Sequence, residues 1–483
     1  MAVADPVAQL DSARSEHTRA RVAHWDRVAR AGPAQDWSGA YHARLRRVYQ
    51  GLVAPGQRVL EVGCGEGDLL AAVQPSVGVG IDFSGEMVRR ATSKFPHLLF
   101  VRADAHEFEL SETFDVVILS DLINELWDVE VAFRRLQHVT GPRSRVILNF
   151  YSRLWEAPLD AARALGRAKP LLEQNWLTVE DVANLLDLAD FEVTRHWEEI
   201  LLPLHLPPLD TFANRYLARL WPLNHAALTH FVTARPRPRP RHSAPPLVSV
   251  VVPARNEAGN IEAIFERVPE MGRGAELVFV EGHSTDDTYA TIERAMRRHP
   301  RRRAQLLRQQ GRGKGDAVRL GFEHAHGDVL MILDADLTVA PEDLPRFLSA
   351  LLEGKGDLIN GVRLVYPMQK QAMRFFNLLG NKFFSLAFSW LLGQSIKDTL
   401  CGTKVLWAVD YQRIAAQRAY FGDFDPFGDF DLLFGAARLN LKIVDMPIRY
   451  RERTYGTTNI ERWRHGLLLL RMVVFAARRI KFV

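Results

Sequence analysis

A basic, proline-rich segment, Ala234 to Pro246, divides this chain of 483 residues into two parts. Proline fixes φ and lacks a backbone N–H donor, so a repeated Arg-Pro pattern is expected to form an extended, solvated spacer. A chain of this length also exceeds one ordinary hydrophobic core. We therefore predict a folded domain at 1–233, a linker at 234–246, a second folded domain at 247–459 and an amphipathic C-terminal helix at 460–483.

Short apolar runs alternate with helical patterns on both sides of this segment. This alternation is typical of parallel, doubly wound sheets, so the predicted fold class is α/β, with two tandem Rossmann-like domains. The runs interpreted as strands are 58–62, 77–81, 98–101, 115–119 and 145–150 in the first half, and 248–252, 277–280, 305–307, 329–333 and 357–359 in the second half.

The composition indicates a soluble globular protein of a reducing compartment. Hydrophobic residues make up 47% of the chain and charged residues 25%, and the two cysteines, Cys64 and Cys401, are too few for a disulfide framework. The N-terminal segment 1–20 lacks the apolar core of a secretory signal, and polar residues interrupt the apolar stretches 375–393 and 466–477. We expect a cytoplasmic protein whose net charge of +5 suits anionic substrates or an anionic membrane surface.

A glycine-rich turn follows the first predicted strand. Glu61 and Val62 lead into Gly63-Cys64-Gly65-Glu66-Gly67, and glycine allows both positive φ and close approach of the backbone to a ligand. The next strand ends at Asp82, the position from which doubly wound folds bind a ribose hydroxyl. The spacing fits an adenosine-containing cofactor, although the glycine pattern alone also fits a dinucleotide enzyme or a structural turn.

Four successive segments, 61–67, 80–84, 102–105 and 114–120, resemble the motifs of class I S-adenosylmethionine-dependent methyltransferases, and the likeness covers about 24–233. The resemblance implies that S-adenosylmethionine is the cofactor, with its methionine part on the glycine turn, its ribose on Asp82, its adenine near Asp104 and its sulfonium near Ser120 and Asp121. The cofactor-binding residues that it implies are Glu61, Gly63, Gly65, Gly67, Asp82, Asp104, Ala105 and Ser120.

Other interpretations of these residues stay open. Asp82 and Asp104 also suit helix N-caps that follow strands. Trp25, Trp37 and Tyr41 precede the first strand and form either a lid over the site or part of the core. Since methyl transfer from a sulfonium requires little beyond alignment of the nucleophile, the lack of an obvious base does not argue against activity.

In the second half, an apolar strand at 329–333 delivers Asp334 and Asp336 to its C-terminal edge. Side chains at positions i and i+2 of a strand share one face, so both carboxylates can bind one hard divalent cation that also binds a diphosphate. The alternative is an acidic surface turn.

Three preceding segments, 248–257, 281–288 and 313–317, together with Asp334-Ala335-Asp336 resemble the family 2 glycosyltransferases, from about Leu247 to Tyr455. The resemblance implies a GT-A fold and inverting sugar transfer from a nucleotide sugar. The residues that it assigns are Pro253, Glu257 and Glu281 to the nucleoside, Lys314 to the diphosphate, and Asp334 and Asp336 to Mg²⁺ or Mn²⁺.

Two acidic residues further along are the candidate catalytic bases. Gly428 to Leu433 resembles a later acidic motif of the family, so Asp429 or Asp431 is expected to deprotonate an acceptor hydroxyl. The alternative is that they complement the dipole at a helix N-terminus.

The segment 397–404 resembles the polyprenyl-phosphate branch of the family, in which a basic pocket lies beside a membrane-lying helix. The cations that match this pocket are Arg363, Arg374 and Lys404, while Arg449 and Arg451 are candidates for binding the diphosphate. Thr338 stands where that branch commonly has a glutamine. The tail 460–483 suits an interfacial helix, a partner-docking helix or a core helix.

Together these patterns predict a bifunctional enzyme. Its partners would be a nucleotide-sugar donor and a polyprenyl-phosphate or glycan acceptor, and its methyltransferase domain would act on a related glycan or lipid intermediate. One alternative is a non-catalytic cofactor-binding scaffold in the N-terminal half. Another is a nucleic-acid methyltransferase, but the basic segment lacks interleaved aromatic residues, so no nucleic acid is expected. Contact with the inner face of a membrane stays open.

Overall fold

The computed structural model describes residues 6–31, 38–164, 172–238, 244–363, 375–420, 429–449, 453, 455 and 462–482. The chain divides into two compact units, the first comprising 1–237 with 482–483 and the second comprising 238–481. Each unit contains a seven-stranded sheet in its described residues. The predicted class, two α/β domains in tandem, is confirmed.

The sheet of the first unit has the strand order β3-β2-β1-β4-β5-β7-β6. Strands β1 to β5 are parallel, and β7 runs antiparallel between β5 and β6. The strands are β1 Arg58–Val62, β2 Val77–Asp82, β3 Leu99–Arg102, β4 Phe114–Ser120, β5 Thr140–Tyr151, β6 Phe191–Glu199 and β7 Thr229–Pro236. The helices are α1 Pro6–Ala31, α2 Ser38–Leu52, α3 Asp68–Ala72, α4 Gly85–Lys94, α5 Val129–Leu136, α6 Glu156–Ala164, α7 Val179–Leu188 and α8 Leu209–Arg215.

Local sequence explains why these elements begin where they do. The central strands read as continuous apolar runs because helices cover both faces of a parallel sheet. Ser84 caps α4 by accepting a hydrogen bond from the Met87 amide, and Asp128 caps α5 in the same way. Thr178 and Asp181 form a reciprocal capping box at the start of α7.

The expected linker differs from the structure at its first residues. Strand β7 extends through Pro236, where Ala234 pairs with Val146 and Arg235 pairs with Glu192. The side chain of Arg235 is buried and forms an ion pair with Glu192 at 3.0 Å. Pro236 ends the strand rather than interrupting it. Ala234, Arg235 and Pro236 therefore belong to the sheet, although composition alone places them in the linker.

The sheet of the second unit has the order β10-β9-β8-β11-β13-β12-β14, with β13 antiparallel to both of its neighbours. The strands are β8 Val248–Ala254, β9 Ala275–Glu281, β10 Arg303–Arg308, β11 Val329–Ile332, β12 Leu358–Val362, β13 Lys404–Trp407 and β14 Ile443–Pro447. The helices are α9 Ile261–Arg267, α10 Thr288–Arg298, α11 Lys314–His324, α12 Leu344–Leu352, α13 Phe375–Leu392, α14 Ala408–Ala416, α15 Asp429–Arg438 and α16 Arg462–Ala476. A π-helical turn, Ala477–Lys481, follows α16.

The parallel strands bring the motifs of the second unit to one edge. Strands β9, β8 and β11 are adjacent, and their carboxyl ends lead into the segments that contain Glu281, Glu257 and Asp334. Open α/β sheets bind ligands at this edge. Among the described helices, none combines the length and the apolar content needed to cross a bilayer.

Candidate functional sites

The glycine turn of the first unit depends on the absence of side chains. Gly63, Gly65 and Gly67 have φ values of 76°, 51° and 79°, in the left-handed region that glycine adopts without strain. A Cβ at Gly63 would lie 2.8 Å from Leu122 Cδ1, and one at Gly67 would lie 2.6 Å from the Phe100 ring. The turn therefore presents bare backbone at the carboxyl edge of β1.

Asp82 holds this turn in place. Its Oδ2 accepts a hydrogen bond from the Gly65 amide at 2.9 Å, and its Oδ1 accepts one from the Ser84 amide at 2.8 Å. Burial raises the pKa of Asp82, and the two amide donors oppose that rise. The residue predicted to bind a ribose thus also fixes the loop beside it.

Glu61 carries a buried polar atom that lacks a partner within the described part of the chain. Its side chain is 2% exposed, and Oε2 accepts no hydrogen bond there. Burial raises the pKa of Glu61 well above its usual range. An unsatisfied buried acceptor is costly, and a ligand ammonium would satisfy it. The residues present therefore fit the cationic methionine part of S-adenosylmethionine.

A cleft with about 410 Å³ of open space extends from Asp82 to the segment Ala103–His106. Asp104 accepts hydrogen bonds from the amide and ring of His106, at 2.8 and 2.5 Å; although burial opposes them, these bonds hold the pKa of Asp104 below its usual range. Asp104 and Ala105, which the resemblance assigns to the adenine, both line the cleft.

Helix α1 contributes part of the cleft wall, a role that the sequence motifs do not indicate. His17, Thr18 and Arg21 line the cleft. The indole of Trp25 donates a hydrogen bond to Glu125 at 2.7 Å, and Asp26 accepts one from the Ser84 hydroxyl at 2.5 Å. Of the three aromatic residues considered for a lid, Trp25 thus lies on the covering helix, Tyr41 is buried in the core and Trp37 lies outside the described residues.

A buried polar network lies at the carboxyl ends of β4 and β5. Asp121 Oδ1 accepts hydrogen bonds from the Tyr41 hydroxyl at 2.7 Å and from the Asn149 amide at 2.5 Å. Asn149 Oδ1 in turn accepts from the hydroxyls of Ser120 at 2.9 Å and Tyr49 at 2.8 Å. Burial raises the pKa of Asp121 to about 7, although both of its donors oppose the rise.

In the second unit, Asp334 pairs with a lysine. Lys314 Nζ, at the start of α11, lies 2.5 Å from Asp334 Oδ1. Burial would raise the pKa of Asp334, but Lys314 and the charges of Arg363 and Lys404 lower it. A Cβ at Gly402 would overlap both the carboxylate and the ammonium, so only glycine fits where this backbone crosses the pair.

Asp336 is held by two other segments. Its Oδ1 accepts from the Thr338 amide at 3.1 Å and hydroxyl at 2.8 Å. Its Oδ2 accepts from Arg453 at 3.1 Å, and the same guanidinium nitrogen donates to Glu257 at 2.8 Å. The hydroxyl of the short Thr338 side chain therefore holds the Asp336 carboxylate in place. Arg453 belongs to the arginine-rich segment noted in the sequence, but it was not among the predicted residues.

Glu257 is buried beside this guanidinium and also accepts from the Asn260 amide at 2.8 Å. Burial raises the pKa of Glu257 to about 7, and Arg453 opposes the rise. Glu281 is buried at the end of β9 and accepts from the Ser284 amide, while Pro253 is half-buried near the end of β8. The predicted nucleoside residues therefore share the edge that contains Asp334.

The cations predicted for an acceptor phosphate have different positions. Arg363 forms a bidentate pair with Asp398, at 2.7 and 2.9 Å. Lys404 is fully buried and donates to the Cys401 carbonyl at 2.7 Å. Both side chains thus stabilise the segment 397–403 through contacts with Asp398 and Cys401. Lys404 is buried because it lies on β13 in the interior of the unit. Arg374 and Arg451 lie outside the described residues, and Arg449 is exposed.

The two candidate bases lie at the start of α15. Asp431 is buried and accepts from Arg418 Nε at 3.0 Å, so its charge is already balanced. Asp429 begins the helix, and its side chain lies outside the described residues. The helix N-terminus considered as the alternative is therefore present.

A divalent cation would find two hard oxygen donors in this unit. Asp334 and Asp336 supply carboxylates of the kind that Mg²⁺ and Mn²⁺ bind, and Mg²⁺ commonly takes its remaining ligands from substrate phosphates and water. Among the described residues there is no group of three or more His, Cys, Asp or Glu side chains that could hold a metal ion. The chemistry of the two carboxylates fits a cation that would take its other ligands from a diphosphate and water.

Two family models match the chain. One, described as a methyltransferase domain, matches residues 59–143, and the other, described as glycosyl transferase family 2, matches residues 249–401. Both resemblances noted in the sequence are confirmed. The matched ranges contain the glycine turn, Asp82 and Asp121 of the first unit, and Lys314 with the two aspartates of the second.

Three relatives each match part of this chain. Glycosyltransferase AglJ of Haloferax volcanii is 29% identical over 46% of this chain and 69% of its own length. Dolichol-phosphate mannosyltransferase of Pyrococcus furiosus is 32% identical over 28% of this chain and 38% of its own length. Undecaprenyl-phosphate 4-deoxy-4-formamido-L-arabinose transferase of Edwardsiella ictaluri is 25% identical over 46% and 64%, respectively. The chain thus spans less than two thirds of the last two.

Two similar solved structures are more distant in sequence. An S-adenosylmethionine-dependent methyltransferase of Mesorhizobium loti is 20% identical, with a TM-score of 0.32 over 41% of this chain and 100% of its own. Glucosyl-3-phosphoglycerate synthase of Mycobacterium tuberculosis, solved with Mn²⁺ and UDP, is 19% identical, with a TM-score of 0.36 over 49% and 80%.

Proposed function

This chain carries a methyltransferase domain and a family 2 glycosyltransferase domain, and we propose that it uses them as a bifunctional enzyme. The C-terminal domain transfers a sugar with inversion from a nucleotide sugar to a polyprenyl phosphate or a glycan. The N-terminal domain transfers a methyl group from S-adenosylmethionine to a related glycan or lipid intermediate. The observation that carries the proposal is the pair Asp334 and Asp336 beside Lys314 at a sheet edge.

The charges around this pair support a diphosphate donor. Asp334 and Asp336 would hold Mg²⁺ or Mn²⁺, which when bound neutralises charge on the departing diphosphate. Lys314 and Arg453 each contact one of the two carboxylates. Once those carboxylates bind a cation, both basic side chains gain freedom to pair with phosphate oxygens, and Arg favours such bidentate contacts.

The names of two relatives favour a lipid-linked phosphate as the acceptor. One is a dolichol-phosphate and one an undecaprenyl-phosphate transferase. A phosphate oxygen is already ionised and requires no general base. A glycan hydroxyl requires one, and because Asp431 is already paired with Arg418, Asp429 would be the first of the two predicted bases to test.

The test uses the purified full chain with Mg²⁺ or Mn²⁺ and a panel of nucleotide sugars, with and without a short polyprenyl phosphate. Released nucleotide and lipid-linked sugar are measured by mass spectrometry. Sugar on the lipid supports the lipid-phosphate acceptor. Donor turnover that is the same with and without lipid would contradict it and favour a glycan hydroxyl. Release of nucleotide by hydrolysis alone would contradict both acceptors.

Three features of the first unit support S-adenosylmethionine as its cofactor. The turn at Gly63 to Gly67 presents bare backbone, Glu61 has an unsatisfied buried oxygen, and the cleft continues to Asp104. When bound, the cofactor supplies an activated methyl group. The chain's own residues position it and exclude water, and α1 forms one wall of the cleft.

We expect Asp82→Ala to weaken S-adenosylmethionine binding by about 10- to 100-fold, because hydrogen bonds to charged groups contribute about 1.5–3 kcal/mol. The substitution removes the predicted ribose contact and releases the Gly65 amide. Calorimetric titration of the full chain measures the change. Glu109→Gln is the control, since that carboxylate is exposed and pairs with Arg135. Equal affinities of Asp82→Ala and the unsubstituted protein would contradict the assigned site.

Two helices of the second unit expose apolar side chains on one face each. Phe383, Leu386 and Trp390 on α13 are spaced i, i+3, i+7, and Leu467, Leu470 and Val474 on α16 have the same spacing. Arg478, Arg479 and Lys481 follow α16, and the ammonium of Lys481 lies 5.0 Å from the centre of the Trp390 ring. Apolar faces with basic flanks support peripheral contact with the cytoplasmic face of an anionic membrane.

The full chain is accordingly expected to sediment with vesicles that contain phosphatidylglycerol, and less with neutral vesicles. Changing both Leu386 and Leu470 to Glu should reduce the bound fraction at least about 10-fold, since each buried leucine contributes roughly 1.5–3 kcal/mol. The control is Leu352→Glu, a leucine of α12 that is also exposed. Equal sedimentation of the double variant and this control would exclude these faces as the membrane contact.

A further inference from the structure

The network around Asp121 lies beside the predicted cofactor site. Glu61 on β1 pairs with Ile118 on β4. The turn at Gly63 and the residues after Ser120 therefore begin at equivalent positions on the carboxyl edge of the sheet. On the other side, Ser120 pairs with Asn149 on β5. Asp121 directly follows β4, which lies between β1 and β5. It therefore lies at the carboxyl edge of the sheet, next to the backbone turn assigned to the methionine part of the cofactor.

The orientation of the Asp121 carboxylate leaves one oxygen available. The backbone of Asp121 has a φ of 54°, which aspartate adopts only where surrounding contacts hold it. The Tyr41 hydroxyl and the Asn149 amide both donate to Oδ1. Oδ2 accepts none of the hydrogen bonds found in the described part of the chain, and the side chain is only half-buried. The donors therefore fix the group and leave Oδ2 for a ligand.

The electrostatic environment of Asp121 allows its carboxyl group to gain or lose a proton near neutral pH. Tyr41 on α2 donates a hydrogen bond to Asp121, and Glu125 after β4 acts on it through its charge. Tyr151 on β5 bonds to Tyr41, and Tyr49 on α2 belongs to the same network. None of these four is a cation. Burial raises the pKa of Asp121 to about 7, the hydrogen bonds from Tyr41 and Asn149 oppose the rise, and Glu125 adds to it. A general base is most effective when its pKa lies near the working pH.

We propose that Asp121 is the general base for the methyl acceptor and that this acceptor presents a hydroxyl group, so that the N-terminal domain makes methyl ethers. This inference rests on the proposed methyl transfer and specifies its substrate class. The acceptor oxygen forms the new bond to the methyl carbon, the sulfur–carbon bond breaks with its electrons on sulfur, and the hydroxyl proton passes to Asp121 Oδ2. Tyr41 is a positioning residue, since it acts through Asp121.

The charges favour a neutral alcohol over other acceptors. A carboxylate or phosphate nucleophile would be repelled by Asp121 and Glu125 and would need no base. A protonated amine would form an ion pair with the Asp121 carboxylate. Its nitrogen lone pair would then be held in an N–H bond and could not attack the methyl group. A hydroxyl can donate to Oδ2 without either penalty, and deprotonation then accompanies attack.

The experiment uses the full chain with methyl-labelled S-adenosylmethionine and two sets of probes. One set is undecaprenyl phosphate with a panel of nucleotide sugars, which tests lipid-linked sugars formed in place, and the other is the methyl glycosides of common hexoses. Alkali-stable methyl ethers are measured by mass spectrometry. Asp121→Asn is expected to reduce transfer by about 10²- to 10⁴-fold at saturating S-adenosylmethionine.

The pH dependence separates a base from a merely structural residue. Because the ionised carboxylate is the active form, the rate of the unsubstituted protein should rise with pH through about 7 and then level off. Tyr41→Phe removes a bond that lowers the pKa of Asp121, so its midpoint should move to higher pH. Tyr49→Phe is the matched control, because that hydroxyl on the same helix bonds Asn149 rather than Asp121.

A readout without cofactor completes the test. In protein labelled with ¹³C-carboxyl aspartate, the infrared difference between the unsubstituted chain and Asp121→Asn should reveal a carboxyl that titrates near 7. A value in the ordinary aspartate range, transfer that persists in Asp121→Asn, or a methyl ester or methylamine product would overturn this inference alone. S-adenosylmethionine binding without methylation of any probe would overturn the proposed methyl transfer and this inference together.

Discussion

Asp336→Ala is expected to reduce sugar transfer by about 10³-fold or more. The substitution removes one of two carboxylates that would hold the divalent cation, and charge neutralisation of this kind contributes several kcal/mol to the transition state, where 1.36 kcal/mol corresponds to tenfold in rate. The substitution also removes one of two carboxylates that Arg453 contacts, while the contact with Glu257 remains. The measurement is nucleotide release and sugar transfer by the full chain at saturating donor, over a titration of Mn²⁺.

The control for this prediction is Asp343→Asn. Asp343 lies after the same strand, at the start of α12, and pairs with Arg346 at 3.3 Å, at a partly exposed position where ion pairs contribute little. Circular dichroism and thermal unfolding show whether either variant is misfolded. If folded Asp336→Ala keeps a rate and Mn²⁺ dependence close to those of Asp343→Asn, the assignment of the metal ligands is wrong.

Glu199→Gln is expected to destabilise the first unit by about 3–5 kcal/mol, the usual cost of breaking a buried ion pair by removing one partner. Glu199 is fully buried at the end of β6 and forms ion pairs with Arg219 and, at 3.2 Å, with Arg44. It also accepts from the Trp197 indole at 2.9 Å. Glutamine has nearly the same volume, so the effect arises from two buried guanidinium groups that lose their shared carboxylate.

Hydrogen exchange of peptides from β6 and β7, measured by mass spectrometry on the full chain, gives the free energy of opening for this region. The control is Glu198→Gln. Glu198 is the neighbour of Glu199 on the same strand, and its half-buried side chain accepts from Asn224 at 3.1 Å. We expect the control to change the free energy by less than about 1 kcal/mol. Comparable protection in both variants would show that the charge of Glu199 does not hold the two arginines.

Local sequence predicted much of both sheets because the relevant signals are short in range. Central strands such as β1, β4, β8 and β11 are apolar runs that a parallel sheet buries on both faces. The later strands of each sheet were less visible. Strands β6, β7, β13 and β14 were not among the predicted strands. Strands β6 and β14 lie at sheet edges, where partial burial weakens the apolar pattern. Strands β7 and β13 are largely buried, but polar residues such as Arg235 and Lys404 interrupt their apolar runs.

The sequence by itself determined which residues begin each site, because glycine turns and strand ends place them within a few positions of a strand. Gly63, Asp82, Asp334 and Asp336 belong to this group. Only the tertiary structure decided what surrounds them. Arg453 reaches Asp336 across 117 positions of sequence and Tyr41 reaches Asp121 across 80, while burial turned Lys404 from a candidate ligand into an interior support. Such contacts depend on packing between distant segments, which local periodicity and motif spacing do not encode.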